Sequence, residues 1–143
     1  MNATDRAKVL ARSAVFAEVP PAHLAVLAEM MLTETFASGT VVIEAGEPAE
    51  CVYVVSSGGL SVRLPGRSEV VRQLGQGDVV GEYGMLDAAV RTATVQVDSD
   101  AVLLSLDYER FREYLLRFPD ALWVLFAGAV RRLAEAETRL RTG

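Results

Sequence analysis

Between Leu32 and Leu106 the chain is cut into short β-branched runs by closely spaced glycines. The runs are TVVIEAGEP, CVYVVSSGG, LSVRLPGRSE, VVRQLGQGD, TATVQVDSD and AVLLSLD, and glycines stand at positions 39, 46, 58, 59, 66, 75, 77, 81 and 84. β-Branched side chains suit a pleated surface, and glycine supplies the positive φ that tight turns demand. Short strands joined by glycine-rich turns point to an antiparallel sandwich or barrel of the jelly-roll type. GG at Gly58–Gly59 and PGRS at Pro65–Ser68 read as hairpin connections. The expected class is mainly β with flanking helices: an antiparallel β jelly roll (a double-stranded β-helix) with N-terminal helices and two C-terminal helices.

The flanks are helical in pattern. Residues 1–31 carry TDRAKVLARSAVFAEV, with Val9, Leu10, Ala14 and Val15 at helical spacing and Thr4 or Asp5 as N-cap. Pro20–Pro21 break it, and PAHLAVLAEMM restarts with Leu24, Leu27 and Met31 on one stripe. Residues 107–143 open with Asp107 as a cap for YERFREYLLRF, and Pro119 suits the first turn of a second helix. In that helix Leu122, Phe126, Ala129, Leu133, Ala136 and Leu140 alternate spacings of four and three. Such a seam either packs on its own domain or pairs with a second copy, giving a homodimer through residues 120–141.

Composition narrows the function. The 143 residues are 51% hydrophobic, enough for one domain with a core, and the formal net charge is -5. That charge argues against direct nucleic-acid binding, which wants a broad basic face. It leaves room for one small anion in a local site. The lone cysteine, Cys51, makes no internal disulfide and holds no zinc or iron–sulfur centre by itself, so no metal is expected. It reads as a small buried hydrophobe. His23 has no acid or serine near it in a motif and reads as a surface or packed histidine. Charged residues interrupt the first apolar stretch, and no apolar run is long enough for a membrane span. A cytoplasmic protein with no membrane insertion is the expectation.

The segment GEYGMLDAAVRTATV, Gly81 to Val95, does not fit a plain strand–turn pattern. Glu82 and Arg91 flank a mostly apolar loop containing Gly84. Taken alone, the pair reads as a surface salt bridge. With its surroundings the segment resembles the phosphate-binding cassette of the cyclic nucleotide-binding domain found in catabolite activator proteins, protein kinase A regulatory subunits and cyclic-nucleotide-gated channels. The cassette positions are Gly81-Glu82-Tyr83-Gly84-Met85, then Leu86 to Val90, then Arg91-Thr92-Ala93. Gly39, Gly46, Glu47, Tyr53 and Gly58 match earlier positions, and the resemblance runs from about Val9 to Leu140. Val80, Tyr83 and Val90 depart from the family's frequent phenylalanine, leucine and proline; Val90 loosens a rigid turn and lowers the expected affinity.

The resemblance implies a regulatory module that binds a cyclic nucleotide, cAMP or cGMP, through Gly81, Glu82, Tyr83, Gly84, Met85, Arg91, Thr92 and Ala93. The chemistry is consistent with that. Arginine offers a planar fork for two phosphate oxygens. Backbone N–H groups at the start of a short helix favour the anion. A carboxylate only accepts, so Glu82 suits the ribose 2′-hydroxyl. Gly84 lets the backbone come close and Ala93 leaves room beyond the arginine. Thr92 has three readings: a guanine contact, a second phosphate contact, or a residue that suits a strand starting there. No nucleophile, general base or metal cluster is apparent, so no enzyme is expected. The alternatives are an interaction domain with a relic pocket, or the sensor fragment of a larger transcription regulator, channel or kinase. The chain stops before any winged helix, so it is expected to be a fragment or a stand-alone sensor.

Overall fold

The computed structural model describes residues 1–81 and 91–142. The order is α1 (Ala3–Arg12), α2 (Pro21–Met30), β1 (Leu32–Phe36), β2 (Val41–Ile43), β3 (Cys51–Arg63), β4 (Val70–Leu74), β5 (Val79–Val80), β6 (Thr94–Asp107), α3 (Tyr108–Arg117) and α4 (Pro119–Thr142). All strand pairs are antiparallel. This is the expected mainly β architecture with helices before and after it.

Two long strands organise the roll. β3 and β6 pair along their whole length, from Cys51↔Asp107 to Arg63↔Thr94. At one end β1 joins β6 and β5 joins β3; at the other β2 joins β6 and β4 joins β3. Each end thus has four strands, and the ladder bends between them, where the register shifts from Val55 to Leu60. One core cluster joins side chains of both ends: Val55, Ala101 and Leu103 from one, Ile43, Leu60, Leu74, Val95 and Val97 from the other. Alternation sends the neighbouring side chains the opposite way. Val52, Val54, Leu104 and Leu106 meet Leu10, Leu24, Leu27, Phe111 and Tyr114 of the helices in a second cluster. Strands buried on both faces read as nearly continuous apolar runs, as CVYVV and AVLLSL do.

Three expectations change. Gly58–Gly59 is no hairpin: both lie inside β3, where Gly58 has φ +88° at the bend. A β-carbon there would lie 2.5 Å from the Asp100 carbonyl oxygen, so glycine permits the two long strands to close on each other. Asp98–Asp100 likewise do not end a strand. β6 runs through them to Asp107, and it begins at Thr94 rather than Thr92. Long-range pairing with β3 holds these polar residues in the ladder, overriding their local turn preference. The first helix is shorter than its pattern. Asn2, not Thr4 or Asp5, is its N-cap, with Asp5 completing a capping box, and it stops at Arg12. The PGRS turn lies between β3 and β4 as expected, with Arg67 N–H donating to the Leu64 carbonyl.

The C-terminal helices follow the sequence closely. Asp107 caps α3 by accepting from Arg110 N–H, and Pro119 opens α4. Ala121 is fully buried and Val124 and Leu125 pack on the helical core. The heptad seam does not: Leu122, Phe126, Leu133 and Leu140 are exposed, with Trp123 and Val130 beside them. α4 therefore packs on its domain through one short apolar stripe near its start, with Arg131 further along paired to Glu18 at 3.0 Å, and presents another apolar stripe to solvent.

Candidate functional site

Arg91 enters just before β6, on a segment tied to the β2–β3 loop. Its N–H donates to the Glu47 carbonyl (2.8 Å), and its carbonyl accepts from Gly46 N–H (2.9 Å). These bonds fix the backbone of Arg91 from the same loop that leads into β3. The side chain is half-buried and turned to the start of β3. Nη2 donates to the Cys51 carbonyl at 2.9 Å and lies 3.9 Å from its Sγ. Nη1 donates to the Tyr108 hydroxyl at 2.9 Å and to the Gly81 carbonyl at 3.4 Å. The Tyr108 hydroxyl itself donates to the Gly81 carbonyl. The guanidinium carbon stands 5.9 Å from the centre of the Tyr108 ring.

Gly81 has to be glycine here. Its φ is +88°, and a β-carbon would lie 2.7 Å from Arg91 Nη1 and 3.0 Å from the Cys51 carbonyl oxygen. The structure thus brings together Gly81 and Arg91, ten positions apart, around a charged planar group. Thr92 is exposed and Ala93 half-buried on the short link to β6. Glu82, Tyr83, Gly84 and Met85, with the helical turn expected through Val90, lie outside the described residues.

Two residues at the site were not singled out from sequence. Tyr108 looked like one more aromatic of an amphipathic helix; its place directly after the Asp107 cap, at the junction of β6 and α3, was the available signal. Cys51 read as a small buried hydrophobe. It is half-buried, and its carbonyl is what Arg91 uses, a backbone role that no side-chain motif encodes. Tyr53, two positions on, has its phenol pushed above the ordinary tyrosine value, first by burial and then by the Cys51 side chain. It stays neutral near neutral pH. Beside β6, Glu44, Arg63, Arg67 and Thr94 line part of a cavity of about 310 Å³. Arg63 is already engaged there, with the Ser68 carbonyl and Gln96 Oε1. Among the described residues no group of three potential metal ligands gathers, and no helix is long and apolar enough to cross a membrane.

A guanidinium with two fork nitrogens, held among the described residues by neutral acceptors, is suited to a small dianionic or monoanionic oxyanion that replaces some of them. The chain is 27% identical over 136 residues to a CRP-like cAMP-activated global transcriptional regulator of Mycobacterium tuberculosis, covering 93% of this chain and 61% of that one. It is 35% identical over 89 residues to a cAMP-dependent protein kinase regulatory subunit of Yarrowia lipolytica, covering 62% of this chain and 24% of the other. It therefore spans about three fifths or less of the length of these relatives. Among solved structures, the N-terminal domain of a transcriptional regulator from Streptomyces coelicolor A3(2) superposes with a TM-score of 0.79 at 28% identity, covering 92% of this chain and 93% of that one. The profile of the cyclic nucleotide-binding domain matches residues 33–118, more than half of the chain, and the chain belongs to that family.

Proposed function

We propose that the protein is a regulatory sensor that binds a cyclic nucleotide, with cAMP the preferred ligand and cGMP its competitor. The observation that carries this is Arg91: a half-buried guanidinium whose hydrogen bonds, among the described residues, go to neutral carbonyl and hydroxyl oxygens, next to Gly81 at the start of a cassette-like sequence. Family membership supports the ligand class, and both curated relatives carry cAMP in their names. In this reading Arg91 takes the cyclic phosphate, Gly81, Tyr83, Gly84 and Met85 bring the backbone close, Glu82 accepts the ribose 2′-hydroxyl, and Thr92 and Ala93 border the phosphate. The module binds and signals rather than catalyses. The net charge of -5 disfavours direct nucleic-acid contact by these residues. The response passes through α3 and α4, and α4 pairs with its copy along Leu122, Phe126, Leu133 and Leu140, whose exposure supports a partner of equal apolarity. The test is calorimetry of the intact chain with cAMP and with cGMP at fixed salt. Saturable binding with the tighter constant for cAMP is expected. Absence of heat and of thermal shift with both would overturn the reading in favour of a relic pocket.

A further inference from the structure

The hydrogen-bond count around Arg91 decides more than where the phosphate goes. Each Nη nitrogen carries two hydrogens. Among the described residues Nη1 serves the Tyr108 hydroxyl and the Gly81 carbonyl, and Nη2 serves the Cys51 carbonyl with Cys51 Sγ beyond it. Both hydrogens of Nη1 are thus engaged, so a phosphate gripped end-on by the two Nη nitrogens, rather than side-on through Nε, must win at least one Nη from the protein. What remains behind selects which. If Nη2 turned away, the Cys51 carbonyl would give up its guanidinium donor, at 2.9 Å. If Nη1 turned away, the Gly81 carbonyl would keep a donor, because the Tyr108 hydroxyl already points its proton there. The bond from Nη1 to Gly81 is also the longer one, 3.4 Å. A buried or half-buried carbonyl left without a donor is costly, so the exchange that leaves none is favoured.

Resting on the cyclic-nucleotide reading above, we infer that Tyr108 is a positioning residue for ligand capture: its hydroxyl holds Nη1 of Arg91 in the empty site, releases it to the phosphate, and keeps the Gly81 carbonyl satisfied meanwhile. The tyrosine is well held for this. Its N–H donates to the Glu50 carbonyl at 2.9 Å, it is the first residue of α3, and its ring packs on the helical core.

The test removes and then restores the phenolic donor. Tyr108→Phe keeps the ring, its packing and the stacking of the guanidinium. Calorimetry with cAMP should show affinity weakened roughly 5–100-fold, the cost of a carbonyl stranded when Nη1 leaves. Replacing Tyr108 with 4-aminophenylalanine, whose amine donates, should recover affinity to within about threefold of the native chain; equal weakening by both replacements overturns the inference. A cycle with Arg91→Lys separates positioning from general packing. The Tyr108→Phe effect should largely vanish in the lysine background, whereas an additive effect overturns the inference. Native-like affinity of Tyr108→Phe overturns it while leaving the functional reading intact. A native chain that binds neither cAMP nor cGMP overturns both.

Discussion

A β-carbon on Gly81 would stand 2.7 Å from Nη1 of Arg91. Ten residues apart in sequence, the two occupy one volume, and the glycine is what makes room for the guanidinium. Gly81→Ala should therefore act twice. Its φ of +88° strains any L side chain, at about 1–2 kcal/mol of stability. The methyl also pushes Arg91 off its carbonyl partners. Denaturant unfolding and cAMP calorimetry together check this; unchanged stability and affinity would show that the loop relaxes without cost.

Removing the charge itself separates binding from folding. Arg91→Ala should weaken cyclic-nucleotide affinity by about 10–100-fold or more, since a charge-assisted bidentate contact is lost. The same change leaves the Cys51 carbonyl without its guanidinium donor, so a stability loss of about 1–3 kcal/mol should accompany it, with the domain still folded. Retained affinity at fixed salt would place the phosphate elsewhere.

Thr92 is exposed and lies two residues before β6 begins. That position leaves its hydroxyl available to a ligand and removes the reading of it as a strand residue. Measured affinities for both nucleotides, in the native chain and in Thr92→Ala, should distinguish what remains. Loss of cGMP binding by more than cAMP binding, about 2–12-fold, marks a guanine contact. Equal loss marks a phosphate contact, and no loss for either removes Thr92 from the site.

The apolar stripe of α4 should behave as an interface. Phe126 and Leu133 are 58% and 61% exposed, so Phe126→Glu or Leu133→Glu removes little from the fold of one protomer. Sedimentation of the native chain should show a concentration-dependent dimer, and either variant a monomer with a similar melting temperature at low concentration. A native chain that stays monomeric at all concentrations would refute the pairing. Trp123, 68% exposed with its ring tilted against Phe126 at 6.0 Å between centres, reports the same event by fluorescence.

Alkaline stability should depend on Tyr114. Burial pushes its phenol from the ordinary 10.0 up to about 12. Its hydroxyl donates to the His23 carbonyl at 2.9 Å. The folded state therefore prefers the protonated form. That preference is fully present below pH 10, where both states hold the proton, and is lost as pH rises through about 12. Tyr114→Phe should cost about 0.5–1.5 kcal/mol near neutral pH. Above pH 10 its stability should fall less steeply than that of the native chain. Parallel stability curves would remove Tyr114 as a source of alkaline sensitivity.

Much of this molecule is written locally. The β-branched runs between Leu32 and Leu106 mark this stretch as strand-forming, and the two prolines at Pro20–Pro21, the Asp107 cap and Pro119 each specify a helix boundary through dihedral preference or one nearby hydrogen bond, where the structure has it. The motif Gly81-Glu82-Tyr83-Gly84-Met85 followed by Arg91-Thr92-Ala93 carried the family resemblance, because a loop that takes an anion keeps its chemistry within one short segment. What the tertiary structure alone decided is non-local. Whether Gly58–Gly59 turned or bent, and whether Asp98–Asp100 ended a strand or stayed in one, depended on β3 and β6 pairing over fourteen residues of β6, since a long antiparallel ladder outweighs the turn preference of two glycines or three polar residues. The partners of Arg91 depended on the fold in the same way. The Cys51 carbonyl and the Tyr108 hydroxyl lie forty and seventeen positions away, at the one end of the ladder where the start of β3 meets the end of β6, and hydrogen bonds to backbone oxygens leave no signature in the side chains that a sequence displays.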